Sequence, residues 1–312
     1  MRHLLRTAAA IGLVASCAAM TCLMARAAVA GGIERVKFAS ADGKTTLVGY
    51  MFKPQLPEGA RVPGVVMMHG RAGAYSTRAN GVYDATTLSR RHQFWGRWWA
   101  EQGYVAVLVD GFGPRGYPHG FPRYSYNDRP PELNEVTVRP LDAYGALAYL
   151  RSRPDVLPSH IGLQGWSNGG SATLAAMAID APGIEDHSPT KGFRAALAFY
   201  PACALKGHFD ATGYEAYAPL RLFMGTNDEE VSPRRCRLLL QNAGGETQFK
   251  FYRDASHDFD DPGPRRQRVE ANVVAREDVI RRATGFFAEQ LAGDALLRPL
   301  ALRGPTSIKA IE

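Results

Sequence analysis

The sequence predicts an α/β protein built on a mostly parallel sheet, and three observations carry that prediction. Short continuous apolar runs, Val65-Val66-Met67-Met68 and Tyr104-Val105-Ala106-Val107-Leu108-Val109 among them, have the character of strands buried on both faces. They alternate with segments of helical period, such as Arg139 to Arg151 and roughly Val273 to Ala292. Turns holding reactive residue types directly follow several of the runs, and sheets of this class bind ligands at the carboxyl ends of their strands.

Taken in order, Glu34 to Ala39 and Thr45 to Phe52 alternate about Asp42-Gly43, which predicts an opening hairpin. A connector rich in Pro and Gly (54–63) leads to the Val65 strand, which ends at His69-Gly70-Arg71-Ala72-Gly73. Phe94 to Glu101 reads as a helix ended by Gly103, and the helical spacing of Trp95, Trp98 and Trp99 favours core over a ligand platform. After the Tyr104 strand, residues 111–134 form an irregular stretch in which Tyr117, Phe121, Tyr124 and Tyr126 interleave with Arg115, Arg123 and Arg129. A loop this long inside a compact domain is usually functional, so it is read as a wall over a site. Then follow an amphipathic crossover helix (Arg139 to Arg151), a strand from His160 to Gln164 and a helix from Ser171 to Ala178. Further strands are predicted at Phe193 to Tyr200, Leu220 to Gly225 and Thr247 to Tyr252. Ser232-Pro233 opens a helix, with Ser232 as N-cap and Pro233 at its first position. The Val273 helix closes the domain; the sequence contains no internal repeat.

The expected organisation is a signal peptide at 1–30, one domain at 31–295 and a loosely held tail at 296–312. Arg2 and Arg6 form a positive leading region, Ala8 to Met24 is largely apolar, and Ala28-Val29-Ala30 fits a cleavage site near Ala30. The alternatives are an N-terminal membrane anchor, interrupted here by Arg26, and lipoprotein processing at Cys17. A periplasmic or secreted location follows, with no stable membrane insertion once the signal is removed. The net charge of +7 falls to +4 without Arg2, Arg6 and Arg26, an ordinary surface that gives no footprint for nucleic acid. Two of the four cysteines lie in the first thirty residues; the others, Cys203 and Cys236, are expected to pair in an oxidising compartment. No zinc-type spacing is present, and neither a metal nor a cofactor is expected.

The chemistry centres on Gly165-Trp166-Ser167-Asn168-Gly169-Gly170, a G-x-S-x-G pattern between a predicted strand and a predicted helix. A serine on so tight a turn is strained, and Gly165 and Gly169 remove side chains that would clash, while Gly170 lets the helix pack close. The turn sets the Ser167 oxygen at a helix N-terminus, which favours developing negative charge. Asp228 and His257 also stand just after strands, and the order Ser…Asp…His is the one used by α/β-hydrolases. Ser167 is the candidate nucleophile, His257 the general base and acid, and Asp228 the carboxylate that orients His257. Glu229 and Glu230 are the local rivals of Asp228, and a turn at Asp258-Phe259-Asp260 is the alternative setting for His257. The candidate oxyanion donors are the backbone N–H groups of Asn168 and Arg71, with His69 shaping the latter's loop. Arg71, Phe112, Arg115 and Trp166 are the candidate substrate contacts.

Met67-Met68-His69-Gly70, Val109-Asp110-Gly111-Phe112-Gly113-Pro114-Arg115-Gly116, the Ser167 turn and Ser256-His257-Asp258-Phe259 together resemble an exported, serine-containing branch of the dienelactone hydrolase family. The resemblance covers about Val36 to Ala292. It implies an α/β-hydrolase fold with an eight-stranded sheet and helices on both faces, no cofactor, and hydrolysis of small-molecule esters or lactones through an acyl-enzyme. The best-known members of that family use a cysteine nucleophile and a glutamate after the third strand. Ser167 and His69-Gly70 stand at those places here, which turns the expectation from dienelactone itself toward general carboxylic esters. The alternatives are a peptidase or acyltransferase with the same triad and, from a different class, a non-catalytic binding protein on the same scaffold. Ser167 at the turn speaks against a dehalogenase, which would carry an aspartate there.

Overall fold

Eight strands form one sheet in the order β1-β2-β4-β3-β5-β6-β7-β8. They are β1 (Glu34–Ala39), β2 (Thr46–Phe52), β3 (Val62–Met68), β4 (Val105–Asp110), β5 (Val156–Trp166), β6 (Ala195–Phe199), β7 (Leu220–Gly225) and β8 (Thr247–Tyr252). The computed structural model describes residues 32–291 except 189, 211 and 242. The expected signal peptide, the Cys17 site and the 296–312 tail lie outside the described residues. β2 is antiparallel to both β1 and β4, and all other neighbours are parallel. The opening hairpin forms as expected, with Gly43 at φ 70° in its turn.

Among the described residues the α-helices are α1 (Arg90–Glu101), α2 (Arg139–Arg151), α3 (Asn168–Met177), α4 (Pro233–Gln241), α5 (Pro264–Gln267) and α6 (Glu270–Leu291). They cover both faces, and β5 shows how. Its even-numbered residues meet α1 and α6: Gln164 accepts the Trp99 Nε1–H at 2.6 Å, and a Cβ at Gly162 would lie 2.8 Å from Phe287. On the other face Gly165 lies against Thr173 of α3. Burial on both sides explains why β3 and β4 read as unbroken apolar runs.

Differences from the sequence reading have local causes. α1 starts at Arg90, not near Phe94, because Ser89 caps it and its polar first turn hides the apolar period. β5 starts at Val156; Pro158 and a register shift between Val62 and Gly64 conceal its first residues. α3 starts at Asn168, directly at the turn. The one-turn α5 is too short for a period to reveal. Trp95 and Trp99 are fully buried, and Trp98 donates to Thr284 of α6. Among the described residues, no helix is long and apolar enough to cross a membrane.

Cys203 and Cys236 are bonded, tying the segment after β6 to α4. Removing that link with Cys203→Ser and Cys236→Ser is expected to cost about 2–4 kcal/mol. Denaturant unfolding of the full chain measures this, and an unchanged midpoint would contradict it.

Candidate active site

β3 lies between β4 and β5, so the chain leaves β4 on one side of it and returns to β5 on the other. Crevices at such a reversal are where open α/β sheets bind ligands. Met68 pairs with Gly165, Trp166 with Phe199 and Gly225 with Tyr252, so the loops after β3, β5, β6, β7 and β8 emerge at one end of the sheet. A surface depression lined by Lys53, Leu56, Pro57 and Pro154 is at the opposite end.

Ser167 occupies the turn between β5 and α3 at φ 52°, ψ −116°, a conformation L side chains rarely adopt. Its surroundings leave little choice. A Cβ at Gly165 would sit 2.1 Å from the Gly169 carbonyl oxygen, one at Gly169 2.1 Å from that of Met68, and one at Gly170 2.7 Å from that of Phe199. The Ser167 N–H donates to Phe199 O at 2.9 Å, holding the turn to β6.

The structure brings Ser167, His257 and Asp228 into one hydrogen-bonded line. Ser167 Oγ is 3.0 Å from His257 Nε2, and His257 Nδ1 is 2.7 Å from Asp228 Oδ2. With Nδ1–H donating to the carboxylate, Nε2 is left to accept the serine hydroxyl proton. The other Asp228 oxygen accepts the N–H groups of Glu230 and Val231, both at 2.9 Å, so the carboxylate is fixed in its loop. Of its rivals, Glu229 accepts the backbone N–H of His257 at 2.9 Å. Glu230 is paired with Arg71 and Arg123, and its Oε2 lies 3.9 Å from His257 Nε2. Burial opposes charge on His257, but the Asp228 hydrogen bond and the Asp258, Asp228 and Glu230 charges outweigh it and raise its pKa above the ordinary 6.5.

The loop after β3 lies directly beside the turn: a Cβ at Gly70 would be 3.2 Å from Trp166 O and 3.3 Å from Ser167 Cβ. Asn168 is the first residue of α3, so its N–H has no acceptor within the helix. Arg71 and Asn168 thus flank Ser167 from two neighbouring strands. His69 braces the loop, with Nδ1–H donating to Gly70 O at 2.7 Å and Nε2 accepting from the Gly111 N–H at 3.3 Å. Burial, with help from the Arg139 charge, keeps it neutral.

Three of the four candidate substrate contacts are placed elsewhere by the structure. Trp166 is fully buried and donates to Asp260 at 2.9 Å, because β5 turns it toward α1. Phe112 is fully buried under its loop, edge-on to His69. Arg115 grips Asp142 with two bonds of 2.8 Å and also donates to Gly111 O, so it staples its own loop to α2. Arg71 remains at the site but is held by Glu230, at 2.7 and 2.9 Å, and by Phe121 O. The 111–134 stretch does wall this end: Phe121 N–H donates to Arg71 O, and a Cβ at Gly120 would meet the Ala72 backbone at 2.3 Å.

The sequence reading missed a support beneath His257. Asp260 is buried and accepts from Trp95 and Trp166 at Oδ2 and from Tyr200 at Oδ1, at 2.8, 2.9 and 2.5 Å. The Tyr200 ring in turn stands edge-on to His257, 4.6 Å away. Arg91 of α1 binds Asp258 at 2.6 Å and approaches Asp260 and Asp261. A run of three acids beside a candidate base, Asp258, Asp260 and Asp261, was the available signal. Glu230, His257 and Asp258 place donor atoms within 4.8 Å of one another, as a metal site would. Arg71 and Arg123 hold Glu230, Arg91 and Arg266 hold Asp258, and His257 is committed to Ser167 and Asp228, so the group carries no metal assignment.

Comparison with known proteins agrees with this architecture. The family model described as the dienelactone hydrolase family matches residues 47–291. A dienelactone hydrolase-like promiscuous phosphotriesterase from metagenomic libraries superposes with a TM-score of 0.59 at 17% identity, covering 84% of this chain and 100% of that one. An esterase of Thermogutta terrifontis, Est2, gives a TM-score of 0.55 at 21% identity over 85% of this chain and 95% of its own. At such identities these two likenesses speak for the fold.

The charges around His257 yield a direct expectation. Its imidazole should titrate above 6.5, and Glu230→Gln or Asp258→Asn should each lower that value, since each removes a negative charge that favours the imidazolium. NMR titration of the ring protons would show it. A value that stays put or rises in both variants would contradict this account.

Proposed function

The chain belongs to the dienelactone hydrolase family, and from that premise we propose that it is a serine hydrolase of carboxylic esters or lactones. The observation that carries the proposal is the unbroken line from Ser167 Oγ through His257 to the buried Asp228 carboxylate. His257 Nε2 takes the hydroxyl proton as Ser167 Oγ attacks the ester carbonyl, and Asp228 stabilises the imidazolium that forms. The oxyanion of the tetrahedral intermediate is received by the backbone N–H groups of Arg71 and Asn168. Collapse breaks the bond to the alkoxy group, which leaves with the proton from His257, and Ser167 carries the acyl group. Water then attacks the acyl carbonyl, giving its proton to His257, and the acid departs as Ser167 recovers its own.

The printed descriptions of structural neighbours support this chemistry: one is a promiscuous phosphotriesterase, and esterase 2 of Thermogutta terrifontis is recorded phosphorylated by paraoxon. Attack on phosphorus of that kind suits an activated serine. A small-molecule ester is the substrate class in this reading, supported by the neighbours described as an esterase and a phosphotriesterase. Export to an oxidising compartment is part of the same reading, supported by the Cys203–Cys236 bond and by the composition of the first thirty residues.

A fluorophosphonate should add once to the wild type and not to Ser167→Ala, as read by intact mass. Turnover of p-nitrophenyl esters should fall roughly 10⁴-fold or more in Ser167→Ala and His257→Ala. Because the reactive form needs neutral His257, the rate should drop as pH falls through its raised pKa, placing the acid limb above 6.5. A folded wild type that neither labels nor turns over activated esters would sink the proposal.

A further inference from the structure

Arg139, the first residue of α2, is fully buried and belongs to neither the catalytic line nor any ion pair within 4.0 Å among the described residues. Its placement is costly on three counts, and the nearby charges of Asp142 and Glu135 offset only part of the cost of burial. A cation is withdrawn from water, and it stands at the helix end that is itself partially positive. Its Nε and one terminal nitrogen also lack hydrogen-bond partners. A side chain retained only for packing would not need a charge here.

What the guanidinium does reach is specific. One terminal nitrogen donates both to His69 O, at 2.8 Å, and to the Asn168 side-chain oxygen, at 2.6 Å. His69 O lies in the loop that ends at Arg71, and Asn168 is the residue after Ser167. The same nitrogen therefore touches the two segments that carry the candidate oxyanion donors. The guanidinium carbon also lies 4.9 Å from the Phe112 ring centroid, and Phe112 packs on His69, so the arginine is held on the side of the loop it grips.

We propose that Arg139 is a positioning residue that clamps the β3 loop to the Ser167 turn and so fixes the spacing of the Arg71 and Asn168 N–H groups. The clamp rests on the hydrolase reading above. It acts on the transition state, in which the oxyanion forms, and leaves ground-state binding alone. Its signature is a loss in kcat without a matching change in KM.

The test uses the full chain with Arg139→Met, Arg139→Lys, Asn168→Ala and the Arg139→Met/Asn168→Ala double variant, assayed on p-nitrophenyl butyrate alongside thermal unfolding. Asn168→Ala removes the acceptor but keeps the backbone donor. Expected is a kcat loss of roughly 10- to 100-fold in Arg139→Met, with KM within about twofold. The melting temperature should not fall in proportion, since an under-bonded buried charge has gone. Added guanidinium should restore part of the rate, and the double variant should be no worse than the worse single. An unchanged kcat, or one that falls only with the melting temperature and is not rescued by guanidinium, overturns the clamp. Should Arg139→Met not fold, an unchanged kcat in Asn168→Ala overturns it alone. Inactive wild type would instead overturn the hydrolase reading, and the clamp with it.

Discussion

The contact on which the structure depends is made mainly by backbone: residues 68–70, leaving β3, lie against residues 165–169, leaving β5. Adjacent parallel strands bring the two segments out together, and the absence of side chains lets them touch. A Cβ at Gly169 would lie 2.1 Å from the Met68 carbonyl oxygen, a steric consequence of this approach, while one at Gly165 would lie 2.1 Å from the Gly169 carbonyl oxygen across the turn itself. The positive φ of Ser167 is the strain that such a turn leaves behind. It is held by the Phe199 carbonyl on one side and by a wholly buried α3 on the other. Everything else at this end of the sheet is arranged around a serine that cannot relax.

His257 and Asp228 are held differently. Asp228, Glu229 and Glu230 are consecutive, yet their carboxylates diverge. The first faces the imidazole, the second takes the backbone of His257, and the third binds Arg71. Arg91 and Arg266 balance Asp258 next to His257, so the carboxylates do not accumulate as uncompensated charge. Pairs like these are poor sources of net stability, because each ion gives up its hydration to form them. Their effect is geometric. They fix the rotamer and polarity of His257, at a site where apolar packing would hold the ring without orienting it.

How much of this could be read from residues alone follows from the range of the interactions. The strands and the crossover helices were legible because burial on two faces writes itself as local runs and periods. Ser167, Asp228 and His257 were legible because each follows a strand, and the sheet gathers strand ends without further information. The surroundings of the candidate substrate contacts were not. Trp166 and Phe112 adjoin key motifs in sequence, but the two-residue alternation of a strand sends Trp166 to the α1 face, and the turn after β4 folds Phe112 inward. Arg115 was misassigned because its partner, Asp142, is 27 positions away in α2. Asp260 and Arg139 escaped for the same reason: each is defined by partners from several elements, and no local pattern records that.

The two modes of support differ in what can disturb them. The turn and the β3 loop meet through backbone carbonyls and glycines, and the Arg139 guanidinium that bridges them is wholly buried. The loop carrying Asp228 is tied to the 111–134 wall in part by Arg123 to Glu229, where both side chains are 36% exposed. Such a pair is weak and screened by salt, whereas the bidentate Arg71–Glu230 bond beneath it is largely shielded. Shielding therefore grades outward, from Ser167 and the backbone beside it, through His257 and Asp228, to the rim of the wall. That order suits the acyl transfer proposed above, in which the candidate donors must be in place before charge develops.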